Sequence, residues 1–194
     1  MVPAKVRKIV LTGGPCAGKS TIADLISRAF STQLLIVPES ASMLFRGGFP
    51  RWQDERSRAA RQTAIYHVQS EMEAAYEANS TGLTLLLDRG TIDGAAYWPR
   101  GPKDFFASLG TTEEKELARY DEVLYLESAC EADYQVHRLR NPTRIETWAE
   151  ARDLDEKTRA IWAMHPRVHI VSNRPTFSDK IFEVLKLVET ALSR

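Results

Sequence analysis

Eight residues near the start of the chain, Gly13-Gly14-Pro15-Cys16-Ala17-Gly18-Lys19-Ser20, follow the spacing Gly-x-x-x-x-Gly-Lys-Ser. A run of this kind can cradle a polyphosphate, because its amide groups can turn inward and its glycines put no Cβ in the path of the oxygens. Lys19 then offsets charge on the β- and γ-phosphates, the Ser20 hydroxyl is a magnesium ligand, and Thr21 helps to orient the α-phosphate. The apolar run Ile9-Val10-Leu11 precedes the loop and a helical pattern from Ser20 to Phe30 follows it, so a helix N-terminus adds its positive end to the phosphate site. A glycine-rich turn with an incidental lysine would not require that context. Cys16 reads as a space-filling loop residue rather than a nucleophile, since a nearby charged loop alone does not make a reactive thiolate.

Two acids stand at the ends of apolar runs, where open parallel sheets bind their ligands. Asp88 ends Leu83-Thr84-Leu85-Leu86-Leu87 and precedes Arg89, at the position from which a phosphate-loop protein holds magnesium, commonly through water. The plainer alternative is a helix cap. Glu39 follows Leu34-Leu35-Ile36-Val37-Pro38, which puts a carboxylate beside the phosphate loop if the second strand lies near the first. It is expected to act as general base or as a ligand of the substrate hydroxyl, against the alternative of a first-turn helix charge. Arg89, Asp93 and Trp98, with Tyr97, are expected to line an acceptor pocket, although core packing accounts for the two aromatics almost as well.

Arginines supply the remaining chemistry. Arg138, Arg140 and Arg144 lie in a stretch, residues 134–146, placed to close as a lid over the nucleotide, and Arg138 and Arg144 are expected to stabilise the transferring phosphoryl group, with a solvated face as the even alternative for each. Arg46, Arg51, Arg56, Arg58 and Arg61 form a second basic stretch that could receive an acidic group on a substrate. A solvated helix face is the preferred reading there.

These residues need a frame, and the hydrophobic pattern supplies one. Five short apolar runs, Ile9–Leu11, Leu34–Val37, Leu83–Leu87, Val123–Leu126 and Val168–Val171, alternate with segments of helical period. The expected architecture is a single three-layer α/β/α domain over residues 1–194 with a five-stranded parallel sheet covered on both faces. A long helix is expected through Trp52, Ala59, Ala60, Ala64, Val68, Met72, Ala75 and Tyr76, and a final one packs by Phe177, Ile181, Leu185, Val188 and Leu192. Thr111 with Glu114 and Thr147 with Glu150 each fit a capping box at a helix start.

With 26 basic and 26 acidic residues in 194, the balance argues against a nucleic-acid or anionic-membrane partner, whose basic excess is absent. No apolar run reaches membrane-spanning length and no leader pattern stands at the N-terminus, so a soluble, unprocessed cytoplasmic protein is expected. Cys16 and Cys130, the two cysteines, are read as reduced thiols. The four histidines lack ligand spacing for zinc.

At family level the chain resembles the NadR-like, AAA-type P-loop ATPases and kinases, which include nicotinamide riboside kinase domains and are related to nucleoside and nucleotide kinases. The resemblance is carried by Thr12 to Thr21, Val37-Pro38-Glu39, Asp88-Arg89-Gly90 with Asp93 and Tyr97-Trp98-Pro99, Asn141 to Glu146, Glu150 to Asp155, Trp162 with His165-Pro166, and Asn173 before Phe177. It implies a nucleoside-kinase-like fold with a lid near Arg138 to Arg144. It strengthens Glu39 as the base and makes Asn173 a contact for the nucleobase. The expected activity is magnesium-dependent transfer of the γ-phosphate of ATP to a small nucleoside-like hydroxyl acceptor. A regulatory nucleotide switch or ATPase without a small-molecule acceptor is the alternative, and GTP stays open as the nucleotide although no Asn-Lys-x-Asp guanine signature occurs.

Overall fold

The computed structural model describes residues 5–131, 134–135 and 147–194. Arg138, Arg140 and Arg144, with the stretch Asn141 to Glu146, lie outside the described residues.

Each apolar run is a strand: β1 (Lys8–Gly13), β2 (Leu34–Val37), β3 (Thr84–Asp88), β4 (Glu122–Leu126) and β5 (Val168–Val171). All four neighbouring pairs are parallel, in the order β2-β3-β1-β4-β5. Because side chains alternate along a strand, Ile9 and Leu11 face one layer and Val10 the other, and Leu86 opposes Leu85 and Leu87 in the same way. On the first side α1 (Lys19–Ala29) and the last helix, α7 (Phe177–Leu192), bury Ile22, Ile26, Val184 and Val188 against the sheet. On the other lie α3 (Glu55–Asn79), a 3-10 helix (Thr91–Tyr97), α4 (Pro102–Ser108), α5 (Glu113–Leu117) and α6 (Trp148–Trp162). A short helix, α2 (Ser40–Arg46), leads from β2 towards α3. Among the described residues, no helix is long and apolar enough to cross a membrane.

Several local expectations shift. The strand between β1 and β2 is β3, so Glu39 is not one strand away from the phosphate loop, and another residue must bridge the gap. Trp52 precedes the long helix and is exposed, because Asp54 caps the helix by accepting the Ser57 amide at 2.9 Å. The capping box at Thr147 and Glu150 forms as expected. At α5, however, the cap is Thr112, and Thr111 donates instead to Glu116 at 2.7 Å. The last helix packs Ile181, Leu185, Val188 and Leu192 on the core as expected, adds Lys180, Val184 and Ala191 to its buried face, and leaves Phe177 45% exposed at the mouth of a cleft.

The largest departure is on α3, whose buried residues are Arg61, Gln62, Tyr66, Gln69 and Glu73 rather than its alanines. They face the junction between β3 and the 3-10 helix, where polar groups need partners. Glu73 is fully buried and accepts from Arg119 at 2.9 Å and from the Tyr120 hydroxyl at 3.0 Å. Tyr120 and Glu116 in turn hold Thr91, the first residue of the 3-10 helix. Burial lifts the Glu73 carboxyl above its ordinary pKa even against the opposing pull of Arg119. Satisfied networks of this kind are costly to open, since a lone buried partner loses both its bond and its hydration. Replacement Glu73→Ala should therefore destabilise the protein by about 2–3 kcal/mol, read as a lower urea midpoint at constant slope; an unchanged midpoint would show that the network carries no stability.

Candidate functional site

β1 ends at Gly13, and the chain turns there with φ 140°, where an added Cβ would stand 2.0 Å from the Leu126 carbonyl oxygen. Only glycine fits. Gly18, at φ 87°, opens α1, and its missing Cβ makes room for the Phe177 ring. Between them the Lys19 ammonium donates to the Gly13 and Gly14 carbonyls, each at 2.9 Å, bridging back across the loop. Lys19 is buried, and desolvation with the nearby charge of Arg89 brings its pKa down to about 7.

Gly14 donates its amide to Asp155 on α6 at 2.9 Å, and the Tyr125 hydroxyl donates to the same carboxylate oxygen at 2.6 Å. Asp155 was given no role by its residue type alone. Its position was informative, because it lies four residues after Ala151 and three before Thr158 on the buried stripe of α6, where an acid needs a reason. The structure supplies it: Asp155 ties the front of the phosphate loop to α6.

On the opposite side, Asp88 ends β3 beneath the loop. One of its carboxylate oxygens, Oδ1, is buried and has no hydrogen-bond partner among the described residues. Burial and the neighbouring Glu39 charge push the Asp88 carboxyl up to about 6. Arg89 follows with φ 73°, a left-handed backbone uncommon outside glycine. Its guanidinium donates from Nε to Glu39 at 2.7 Å and from a terminal nitrogen to Asp93 at 2.8 Å. Asp93 is buried and also accepts from Thr12 at 2.5 Å and from the Gly90 amide at 2.9 Å, so it orients Arg89 rather than offering itself to a substrate. Glu39 accepts a further short bond from the Ser42 hydroxyl. Although its burial opposes ionisation, Arg89, Ser42 and Lys19 together hold Glu39 below its ordinary pKa. Gln69 reaches both sides of this arrangement: it accepts from the Ser40 amide and donates to the Arg89 carbonyl, each at 3.3 Å.

The loop, Glu39, Asp88 and Arg89 thus open on one cleft of about 2040 Å³. Sites for a single small ligand are usually about 300–1,000 Å³, so this one has room for a nucleotide and a second molecule. Pro15, Cys16, Ala17, Ser20 and Thr21 line it with Lys19 and Gly18. Asn173 stands in the wall near Phe177, but its amide already donates to the Ser128 carbonyl at 2.6 Å and its oxygen accepts from Lys180 at 3.2 Å. Trp98 is only 6% exposed, packs edge-on against Phe105 and donates to Asp104 at 2.6 Å, so it is mainly a core residue at the cleft margin. Arg46, Arg51, Arg58 and Arg61, read from sequence as a solvated face, line the cleft as well.

A family model described as an AAA domain matches residues 8–180, from the first residue of β1 into α7. The chain belongs to this AAA domain family. No curated protein matches it. Membership makes the protein a P-loop nucleotide-binding NTPase, in agreement with the parallel sheet and with the loop between β1 and α1. Among the described residues of this AAA domain, no group of three or more His, Cys, Asp or Glu side chains forms a metal cage. Magnesium does not need one, since it keeps waters and phosphate oxygens as ligands and asks little of the protein. The orphaned Asp88 oxygen, which belongs to the same cleft as Ser20, fits that role.

The pKa directions give the AAA domain a proton signature. At pH 8 Lys19, with its pKa near 7, is largely neutral, and a polyphosphate must recharge it. Below about pH 6 the Asp88 carboxyl holds a proton that a divalent cation must displace. Calorimetry in buffers of different ionisation enthalpy, corrected for the nucleotide's own titration, should show proton uptake on binding at pH 8 and net release near pH 5.5. Absence of uptake at pH 8 would refute the Lys19 assignment. Replacement Asp155→Ala should weaken nucleotide binding about tenfold, roughly 1.4 kcal/mol; an unaltered Kd would mean that the loop keeps its shape without the tether.

Proposed function

We propose that the protein is a kinase that transfers the γ-phosphate of ATP to a hydroxyl of a small nucleoside-like acceptor. The observation that carries this reading is the position of Glu39, a carboxylate held in the same cleft as the phosphate loop by Arg89 and by Ser42. A phosphate loop alone serves hydrolases, switches and kinases equally. A pinned carboxylate facing the remaining space of the cleft is what an incoming hydroxyl requires.

Lys19 has carbonyl partners within the loop and can exchange them for the β- and γ-phosphate oxygens, where its charge opposes the negative charge of transfer. Glu39, ionised at neutral pH, accepts the proton of the acceptor hydroxyl as its oxygen forms a bond to the γ-phosphorus and the bond to the ADP oxygen breaks. Arg89 keeps its charge at any working pH and fixes Glu39 in one orientation, so little reorganisation is needed at the moment of reaction. Ser20 and Asp88 would hold magnesium, whose chemistry when bound is to offset the negative charge of the phosphates. Asp93 and Thr12 position Arg89, and Arg138 and Arg144 are proposed to close over the phosphates from the lid.

Lys19→Ala should abolish transfer. Glu39→Gln should bind nucleotide within about twofold of the parent while turnover falls by about 10²-fold or more. These are read by titration and by acceptor-dependent ADP release across nucleosides and related hydroxyl compounds, with ATP and GTP as donors. Unchanged turnover in Glu39→Gln would sink the base assignment, and nucleotide consumption indifferent to every acceptor would sink the kinase reading.

A further inference from the structure

β2 and β3 run in register through Val37 and Leu87 and then part, because Pro38 has no amide to donate. Two residues past the last pair the chains carry Glu39 and Arg89, which meet through their side chains. Gln69, on α3, spans this gap from within the core, with 2% of its surface exposed. Its amide oxygen accepts from the Ser40 amide and its amide nitrogen donates to the Arg89 carbonyl, each at 3.3 Å. One side chain thus joins the residue that follows Glu39 to the backbone of the residue that holds Glu39. Ser40 is buried too, and its hydroxyl donates to the Ile65 carbonyl at 3.1 Å, so α3 grips the start of α2 at two points.

The clamp resolves a conflict at Glu39. This residue is the N-cap of α2, and an N-cap side chain commonly turns back to satisfy the first amides of its own helix. The Glu39 carboxylate makes no such bond. Gln69 satisfies the Ser40 amide in its place, and the carboxylate goes to Arg89 and Ser42. Arg89 presents the matching difficulty. Its left-handed backbone gives its amide to the Leu11 carbonyl and takes a bond on its own carbonyl from Gln69, so the turn is held from β1 on one side and from α3 on the other. A carboxamide suits this place because it is donor and acceptor at once. A methionine of similar length would take a partner from the Ser40 amide and from the Arg89 carbonyl, and a glutamate would set a carboxylate against that carbonyl. We infer that Gln69 is a positioning residue for the transfer step: it keeps Glu39 off its own helix and Arg89 in its turn, so that the carboxylate faces the acceptor. The inference rests on the kinase reading for the reaction and on the two hydrogen bonds of Gln69 for the role. The step is unchanged: the hydroxyl proton goes to Glu39, the new bond joins the hydroxyl oxygen to the γ-phosphorus, and ADP leaves.

The test is a double-mutant cycle on acceptor-dependent ADP release. Gln69→Met should lower kcat about tenfold while the KM for ATP stays within about twofold of the parent. In the Glu39→Gln background the same replacement should change kcat by less than about twofold, because a residue that acts through Glu39 then has nothing left to position. Gln69→Glu keeps the acceptor for Ser40 and the length of the side chain; it should show the same pattern, and it carries the test if the methionine variant does not fold. An equal loss in both backgrounds, as a merely structural role would give, or a kcat equal to the parent's, overturns the inference and leaves the kinase reading standing. If no acceptor reacts, the kinase reading fails and the clamp is judged on the Glu39 carboxyl, titrated by carbon NMR and assigned through Glu39→Gln. The Arg89 guanidinium holds that carboxyl below the usual carboxylate range, so loosening the clamp should move its midpoint to higher pH in the Gln69 variants. An unchanged midpoint overturns the clamp.

Discussion

The arrangement of the cleft depends on the Arg89 guanidinium. It stands between two carboxylates from different parts of the chain, Glu39 after β2 and Asp93 in the 3-10 helix, and holds each within 2.8 Å. Its backbone occupies a left-handed conformation that costs a non-glycine residue roughly 1–2 kcal/mol. The surroundings offset that cost, because the Arg89 amide donates to the Leu11 carbonyl at 3.1 Å and its own carbonyl accepts from Gln69. The twist aims the side chain across β3 to where Glu39 waits, and so overcomes the separation that the strand order imposes.

The charge balance around Arg89 also explains why the cleft suits a divalent cation. Lys19 and Arg89 face Glu39, Asp88 and Asp93, two cations against three carboxylates. Arg89 is committed to Glu39 and Asp93, which leaves Asp88 with the weakest compensation and the raised pKa. A proton relieves this below about pH 6, and a divalent cation relieves it better. The polar face of α3 belongs to the same logic. Gln69 and Glu73 serve the backbone and side chains of the β3 junction, so a helix that could have packed with alanines gives its buried face to fixing the reactive end of the strand.

What was legible in the sequence follows physical scale. All five strands were readable, because a strand buried on both faces is an uninterrupted apolar run, and the phosphate loop was readable because its chemistry demands glycines at set spacing. The place of Asp88 and Glu39 in the cleft was readable from their position at strand ends. Missed were interactions whose partners are distant in sequence. Asp155 meets Gly14 across 141 positions and Phe177 covers Gly18 from the final helix, and no local pattern encodes either pairing. The face of α3 misled for a related reason: alanine tolerates burial and exposure alike, whereas Gln69 and Glu73, buried there, have partners beyond the helix.

The loop glycines carry a consequence for how the protein is made. Gly13 closes against Leu126, Gly14 against Asp155 and Gly18 against Phe177, so each part of the phosphate cradle is completed by a residue synthesised long after it. β1 lies at the centre of the sheet, and its neighbours are β3 and β4 rather than the strand that follows it. A nascent chain therefore carries the motif well before the cradle is finished, which waits until the start of α7 has emerged. Nucleotide stabilises only the state that binds it, so it can reward the nearly complete fold alone and offers no foothold to shorter intermediates.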